Sequence, residues 1–280
     1  MRYLSFPAGF ALLAVLALGV APSFAEQQPE TVALSGSQEI EHPLVPVIRR
    51  LTDVRSRIER EVHDYTATLI KRERVDGKLT EHNYIYTKIR HEPFSVYLYF
   101  LAPQDLKGRE VLYVHGQNDG NIVVHEGSGL TARIGMISLR PDGRLAMRDQ
   151  KYPITDIGIL NLTRRWLEVA QLETQFGECD VAILEGAKIN GRSSTCIQVT
   201  HSVPRKEFYA NVARLYIDDE LGLPIRHEAY DWPRQPGGRP ELTEEYTYLN
   251  MKLNNNLADV DFDHRNHDYN FVRKGNRRGN

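Results

Sequence analysis

Ten histidines in 280 residues invite a search for metal or acid–base chemistry. His115 and His125 flank the turn Asn118-Asp119-Gly120. A hairpin register that pairs them directly would bring them within chelating reach, whereas a two-residue turn at Asp119-Gly120 puts them on opposite faces. No third ligand accompanies them, so no metal is assigned. The run "DVDFDHRNHD", Asp259 to Asp268, spaces three acids like the opening of a calcium loop. His264 stands where such a loop needs Gly, and Asn270 where it needs Glu. It reads instead as a last strand with Val260 and Phe262 inward and carboxylates outward, leaving His264 and His267 without a metal role. "GSG" at 127–129 lacks the spacing of a nucleophile elbow, and neither a P-loop nor GxGxxG is present. Glu244 and Glu245 are adjacent, hence on opposite faces of a strand. The charge-dense "KRERVDGKLTEH", Lys71 to His82, is explained by a hairpin with ion pairs on its wet face. These residues offer no catalytic constellation, metal site or cofactor site, and a protein that is not an enzyme is expected.

The segments that would carry any site are laid out plainly. Residues 1–25 hold one charge, Arg2, then an apolar run from Phe10 to Val20 and the small-residue pattern Ser23-Phe24-Ala25, which reads as a cleaved secretory signal. The run is short of the roughly 20 residues a membrane span needs, and no Cys follows it to carry a lipid anchor. A periplasmic location is expected. Residues 26–42 read as a flexible leader, 43–271 as a single domain and 272–280 as a disordered basic tail. The formal charge of −2 gives no reason to expect a nucleic-acid partner. Cys179 and Cys196 form no CxxC. If Asn190-Gly191 is a two-residue turn, they fall opposite Ser202 and Glu185, so a bridge would need another register; whether they join stays open.

A first helix is expected over Leu44 to Val62, with Leu44, Val47, Ile48, Leu51, Val54, Ile58 and Val62 on one stripe. A second follows Thr155 or Asp156 as cap, with Ile159, Leu162, Trp166, Val169, Ala170 and Leu172 at helical spacing through about Gln175. Elsewhere the period is two. Turns at Asp76-Gly77, Asn118 to Gly120, Pro141 to Gly143 and Asn190-Gly191 separate about eleven strands, "LTARIGMISLR" (Leu130 to Arg140) among them. A helix is roughly 10 Å across and strands lie about 4.8 Å apart, so each helix covers about two strands. Two helices cannot blanket so wide a sheet. It must curl upon itself, fold into two layers or leave apolar area for a guest; with apolar residues on both parities around Phe94 to Phe100, the fold class expected is mainly β, a strongly curved, incomplete antiparallel barrel with the two helices as lid.

The stretch "NYIYTKIRHEPFSVYLYFLAP" sharpens that expectation. Its apolar residues are odd before Pro93 (Ile85, Ile89) and even after it (Phe94, Val96, Leu98, Phe100). A bulge at Pro93 would keep both sets inward. These six residues are the candidate ligand wall, and Leu51, Val54, Ile58, Ile159, Leu162 and Trp166 the candidate lid. Tyr97, Tyr99, Tyr246 and Tyr248 suit either a cavity wall or an exterior ladder.

The phrases "KRERVDGKL", "KIRHEPFSVYLYFLAP", "KGREVLYVHGQNDG", "YPITDIGI" and "EEYTYLNMKLN" resemble an exported bacterial family of unknown function, fifteen-seventy-one, over roughly Leu44 to Phe271. The resemblance implies a fold like the periplasmic lipoprotein carriers LolA and LolB, with an apolar cavity for acyl chains. Ser95 stands where such carriers often have a basic residue, and no position here matches their lid-locking Arg. The function expected is a periplasmic carrier or sensor for a lipid, an acylated protein or another apolar group, with peripheral membrane contact. The alternative is an envelope scaffold or signalling protein that uses a filled version of the same fold as a protein-binding platform.

Overall fold

Alternating sequence dominates after Asp64, and the computed structural model, which describes residues 41–129 and 135–271, turns it into one antiparallel sheet. Its strands are β1 (Asp64–Val75), β2 (Lys78–Leu79), β3 (Asn83–Arg90), β4 (Ser95–Ala102), β5 (Glu110–Val114), β6 (Ile122–His125), β7 (Met136–Leu139), β8 (Asp180–Ile189), β9 (Arg192–Thr200), β10 (Val212–Asp218), β11 (Pro224–Asp231) and β12 (Glu241–Leu253). They lie in the order β7-β6-β5-β4-β3-β1-β12-β11-β10-β9-β8, with the short β2 hydrogen-bonded to β1. The ends β7 and β8 do not pair, so the barrel is incomplete. Register shifts at Thr66/Thr68, Tyr84/Ile85, Leu184/Ala187 and Ala229/Tyr230 are the local bends that let so wide a sheet curve. The signal and most of the leader (1–40), residues 130–134 of the expected strand Leu130 to Arg140, and the tail 272–280 lie outside the described residues.

The face switch around Pro93 has a simpler cause than a bulge. Residues 91–94 form a four-residue turn, and β3 pairs with β4 so that Ile85 meets Phe100, Thr87 meets Leu98 and Ile89 meets Val96. Odd residues on β3 and even residues on β4 therefore share one face, as the turn length requires.

Both helices lie on that concave face. α1 (Leu44–Glu61) buries Leu44, Val47, Leu51 and Ile58, and its outer face carries i,i+4 pairs such as Arg57–Glu61 at 3.0 Å. α2 (Ile159–Glu173) buries Ile159, Leu160, Trp166, Leu167 and Ala170. Leu172, expected on its apolar stripe, is 62% exposed. Nor do Thr155 and Asp156 cap it; they belong to a 3-10 turn, Ile154–Asp156. The orphan N–H groups at its start are met by the sheet: Gly158 N–H donates to the Tyr248 hydroxyl (3.1 Å) and Ile159 N–H to the Tyr65 hydroxyl (3.0 Å). Gly158 has φ 109°, and an added Cβ would meet the Tyr65 oxygen at 3.1 Å, so only glycine fits this junction. The helices cover β9, β10 and β11 through one apolar cluster, while Ile58, Ile159 and Leu160 join a second built on β1, β3, β4, β5 and β6.

The C-terminal segment covers the opposite face. Its expected strand is instead a 3-10 turn, Asp259–Phe262, followed by turns to Phe271. Phe262, Tyr269 and Phe271 pack on Tyr97, Leu112, Val114 and Val123, with the Tyr97 and Tyr269 rings stacked at 4.1 Å. Val260 points outward, 56% exposed. The packing of Phe262, Tyr269 and Phe271 and the ion pairs of Asp261 with Lys88 and Asp259 with Arg90, rather than ladder hydrogen bonds, hold this strap. Two register expectations also change. His125 faces Glu110, not His115. The irregularity after Leu184 brings Cys196 opposite Leu184, and both cysteines are free thiols.

Candidate functional site

The part of the concave face that the helices leave uncovered is a cavity of about 1140 Å³. Its floor follows from strand pairing. Leu98 on β4 faces Val111 on β5, Val111 faces Val124 on β6, and Val124 faces Ile137 on β7, so one apolar row crosses four strands. A second row joins Leu69 on β1, Ile85 on β3 and Phe100 on β4. The wall opposite is the segment from Pro141 to Gly158, which connects β7 to α2, together with Asn161, Leu162 and Arg165 of α2.

Of the six residues expected as wall, Ile85, Leu98 and Phe100 border this cavity. Ile89 and Val96 are completely buried in the apolar cluster beneath the helices, and Phe94 is half-buried in the turn, its ring 6.2 Å from that of Tyr113. Among the expected lid residues, Leu51, Ile58 and Ile159 are completely buried, Val54 is half-buried, and Trp166 packs beside His227; only Leu162 borders the cavity. The helices are thus built into the core, and the irregular segment 141–158 takes the roofing position. Tyr246 and Tyr248 face the cavity, while Tyr97 and Tyr99 lie under the C-terminal strap.

One end of the cavity is ionic, which the sequence reading missed. The inward parity of β1 runs from Leu69 into Lys71 and Glu73, and that of β12 from Tyr248 into Tyr246 and Glu244. These pair as Leu69 with Tyr248, Lys71 with Tyr246, and Glu73 with Glu244, while His227 on β11 faces Tyr246. Lys71 and Glu73 are buried, against the expectation of ion pairs on a wet face. Glu245, as expected, takes the other face, where it meets Arg226 and His82. The only advance signal was charge of both signs on the same parity as Leu69.

Two carboxylates directly opposite each other repel, so the donors around them decide whether the arrangement stands. Glu73 accepts from Lys71 Nζ (3.0 Å), the Lys151 backbone N–H (3.3 Å) and the Tyr246 hydroxyl. Glu244 accepts from the Tyr152 hydroxyl (2.9 Å), His227 Nε2 (3.1 Å) and the Tyr209 hydroxyl, and it pairs with Lys151 Nζ. The indole N–H of Trp166 can only donate, and it lies 3.2 Å from His227 Nδ1. The Arg214 carbonyl also lies 3.2 Å from Nδ1, while Nε2 faces the Glu244 carboxylate, which can only accept, so a proton on Nε2 satisfies both Trp166 and Glu244. Burial, foremost, pulls the His227 pKa down to about 4, so the ring is neutral at pH 7. Burial, and after it the Glu244 charge, drives the Tyr152 hydroxyl well above the usual tyrosine range. Every carboxylate oxygen here is engaged by the protein's own donors. That is the pattern of a fixed ionic lattice rather than of a base held ready for a substrate proton.

No group of three or more His, Cys, Asp or Glu side chains that could hold a metal ion occurs among the described residues. Nor is any described helix long and apolar enough to cross a membrane.

Residues 62–271 match a family described as "Protein of unknown function (DUF1571)". No curated protein matches the chain. Among solved structures, lipoprotein LppX of Mycobacterium tuberculosis is 14% identical, with 75% of this chain and 98% of that one covered at a TM-score of 0.41. A LolA superfamily protein from Nitrosomonas europaea is 12% identical over 77% and 97%, at 0.32. A putative outer membrane lipoprotein-sorting protein domain from Vibrio parahaemolyticus is 12% identical over 76% and 94%, at 0.37. At such scores the likeness says nothing of what this chain holds.

Proposed function

The chain belongs to DUF1571, a family of proteins of unknown function, and we propose that it is a non-enzymatic envelope carrier or sensor sheltering a lipid, acylated protein or other apolar group in its cup. One observation carries the reading: a cavity of about 1140 Å³ whose floor is a continuous apolar row, Leu98, Val111, Val124 and Ile137, on the part of the concave face that the two helices do not fill. Pockets that take small molecules are commonly about 300–1,000 Å³ and mostly apolar. Each buried methylene contributes about 0.8 kcal/mol, so ten of them supply roughly 8 kcal/mol toward the cost of association. A directional code is unnecessary for holding a chain of that kind. Residues 1–25, with their signal pattern, support a periplasmic location. Leu145, 61% exposed at the mouth, offers an apolar point of contact with a membrane or partner. A protein-binding platform with a packed interior would have no use for so large an opening.

The test is native mass spectrometry of protein taken from its periplasm, before and after delipidation, with titration of a fluorescent fatty acid. A co-purifying apolar species and saturable uptake are expected. Absence of both refutes the carrier reading.

A further inference from the structure

Two cations that line the cup lack a carboxylate partner among the described residues, Arg148, exposed on the roof, and Arg165, half-buried at the ionic end. Lys71 pairs with Glu73 and Lys151 with Glu244. The third cation of that end is Arg165, on α2. Its guanidinium lies against the ring of Tyr152 (4.0 Å) and, on the side of β11, that of Tyr209 (5.4 Å). Both tyrosine hydroxyls are committed as donors to Glu244. The Nε of Arg165 is buried with no hydrogen-bond partner, and the residue forms part of the cavity wall. Stacking on aromatic rings fixes the plane of a guanidinium but leaves its fork of N–H donors unused. The neighbouring His227 adds no negative charge, and Asp149, Asp156 and Glu168 sit exposed around the mouth, none of them paired with Arg165. Solvent screens those rim acids more than it screens Arg165, which is half-buried with its Nε out of reach of water.

We propose that the cup's occupant is a single-chain anionic amphiphile, its chain lying along the Leu98–Val111–Val124–Ile137 row and its carboxylate or phosphate head accepting hydrogen bonds from Arg165. This rests on the carrier reading and adds the class of head group. Arg is suited to the part, since its planar fork matches either anion.

The experiment uses delipidated full-length protein at pH 8 and displacement of a fluorescent fatty acid by hexadecanoate, hexadecyl phosphate, hexadecanol and hexadecyltrimethylammonium. The two anions should bind roughly 10- to 100-fold tighter than the alcohol, the range of one charge-assisted hydrogen-bond set. In Arg165→Gln that ratio should fall to near one, and Arg165→Lys should retain part of it. Because the ratio is taken within each variant, a general loss of fold weakens all probes together and leaves it unchanged; the wild-type ranking decides in any case. Equal binding of alcohol and anions, or tighter binding of the ammonium, overturns the head-group assignment and leaves the carrier reading standing. Displacement by acetate or inorganic phosphate alone overturns it too, by making the site one for small anions. If no chain-bearing probe binds, both readings fall.

Discussion

Replacing Glu244 by Leu tests whether the ionic end of the cup is part of what holds the sheet together. Glu244 is 1% exposed, receives the hydroxyls of Tyr152 and Tyr209 and the Nε2–H of His227, and is paired with Lys151. Two effects oppose each other. Removing the charge relieves repulsion from Glu73 directly across the ladder. At about 5 Å and an effective dielectric near 20 that relief is about 3 kcal/mol. It also removes the attraction to Lys151, which at contact distance of about 3 Å is about 5 kcal/mol on the same scale, and it strands three donors. The loss is the larger. Breaking a buried pair from one side typically costs about 3–5 kcal/mol, a large part of a domain's total stability. For a chain of this size it corresponds to a fall in Tm of roughly 6–20 °C. Glu244→Gln keeps the shape and one acceptor oxygen and should lose less. Lys151→Met combined with Glu244→Leu should lose less than the two single changes summed, because no ammonium is then left unpaired. Urea unfolding followed by far-UV circular dichroism measures wild type and the four variants (Lys151→Met alone included), with equal m-values as the check on two-state behaviour. A Glu244→Leu protein within about 1 kcal/mol of wild type would show that this lattice contributes little to holding the sheet together.

Val124→Trp projects an indole from the middle of the apolar row into the void, and should abolish fatty-acid uptake while costing less than about 2 kcal/mol; unchanged uptake would mean the cup is not where the ligand goes. Burial pushes the Glu173 carboxyl up to about 7 from its ordinary 4.5. The native state therefore binds the extra proton between those values, and this group's contribution to stability is lost as pH rises through that window. His227, pulled down to about 4, acts the other way, its contribution falling as pH drops from 6.5 toward 4. Glu173→Gln, which keeps an acceptor for the Tyr209 N–H, should therefore gain on wild type by up to about 3 kcal/mol between pH 5 and pH 8; a pH-independent difference in urea unfolding would contradict this. Cys196 pairs opposite Leu184, five residues along β8 from Cys179, a displacement of about 16 Å at 3.3 Å per residue and far beyond disulfide reach. Thiol titration in urea without reductant should count two per chain, and slow reaction in the folded protein is expected because burial pushes the Cys179 thiol up to about 11.

Much of this architecture was legible from local pattern. The apolar stripe of α1, the period-two segments, and turns such as Asp76-Gly77 and Asn190-Gly191, where both residues take positive φ, are determined by neighbours along the chain. Counting two helices against some eleven strands excluded a flat sheet blanketed by helices and left curling or folding into two layers, and Ile85, Leu98 and Phe100 were identifiable by parity as sharing an apolar face. Tertiary structure decided the rest. Glu73 and Glu244 meet only because β12 returns to lie against β1, and nothing local distinguishes a buried Lys71 or Glu73 from one on a wet face: a charge is tolerated inside only when remote strands bring its counter-charges and donors. The roof from Pro141 to Gly158 has no periodicity to read, and its place over the cavity is set where Tyr65 and Tyr248 hold the start of α2. Parity along a strand names two faces; which one closes over an ionic lattice depends on partners a hundred and more residues away.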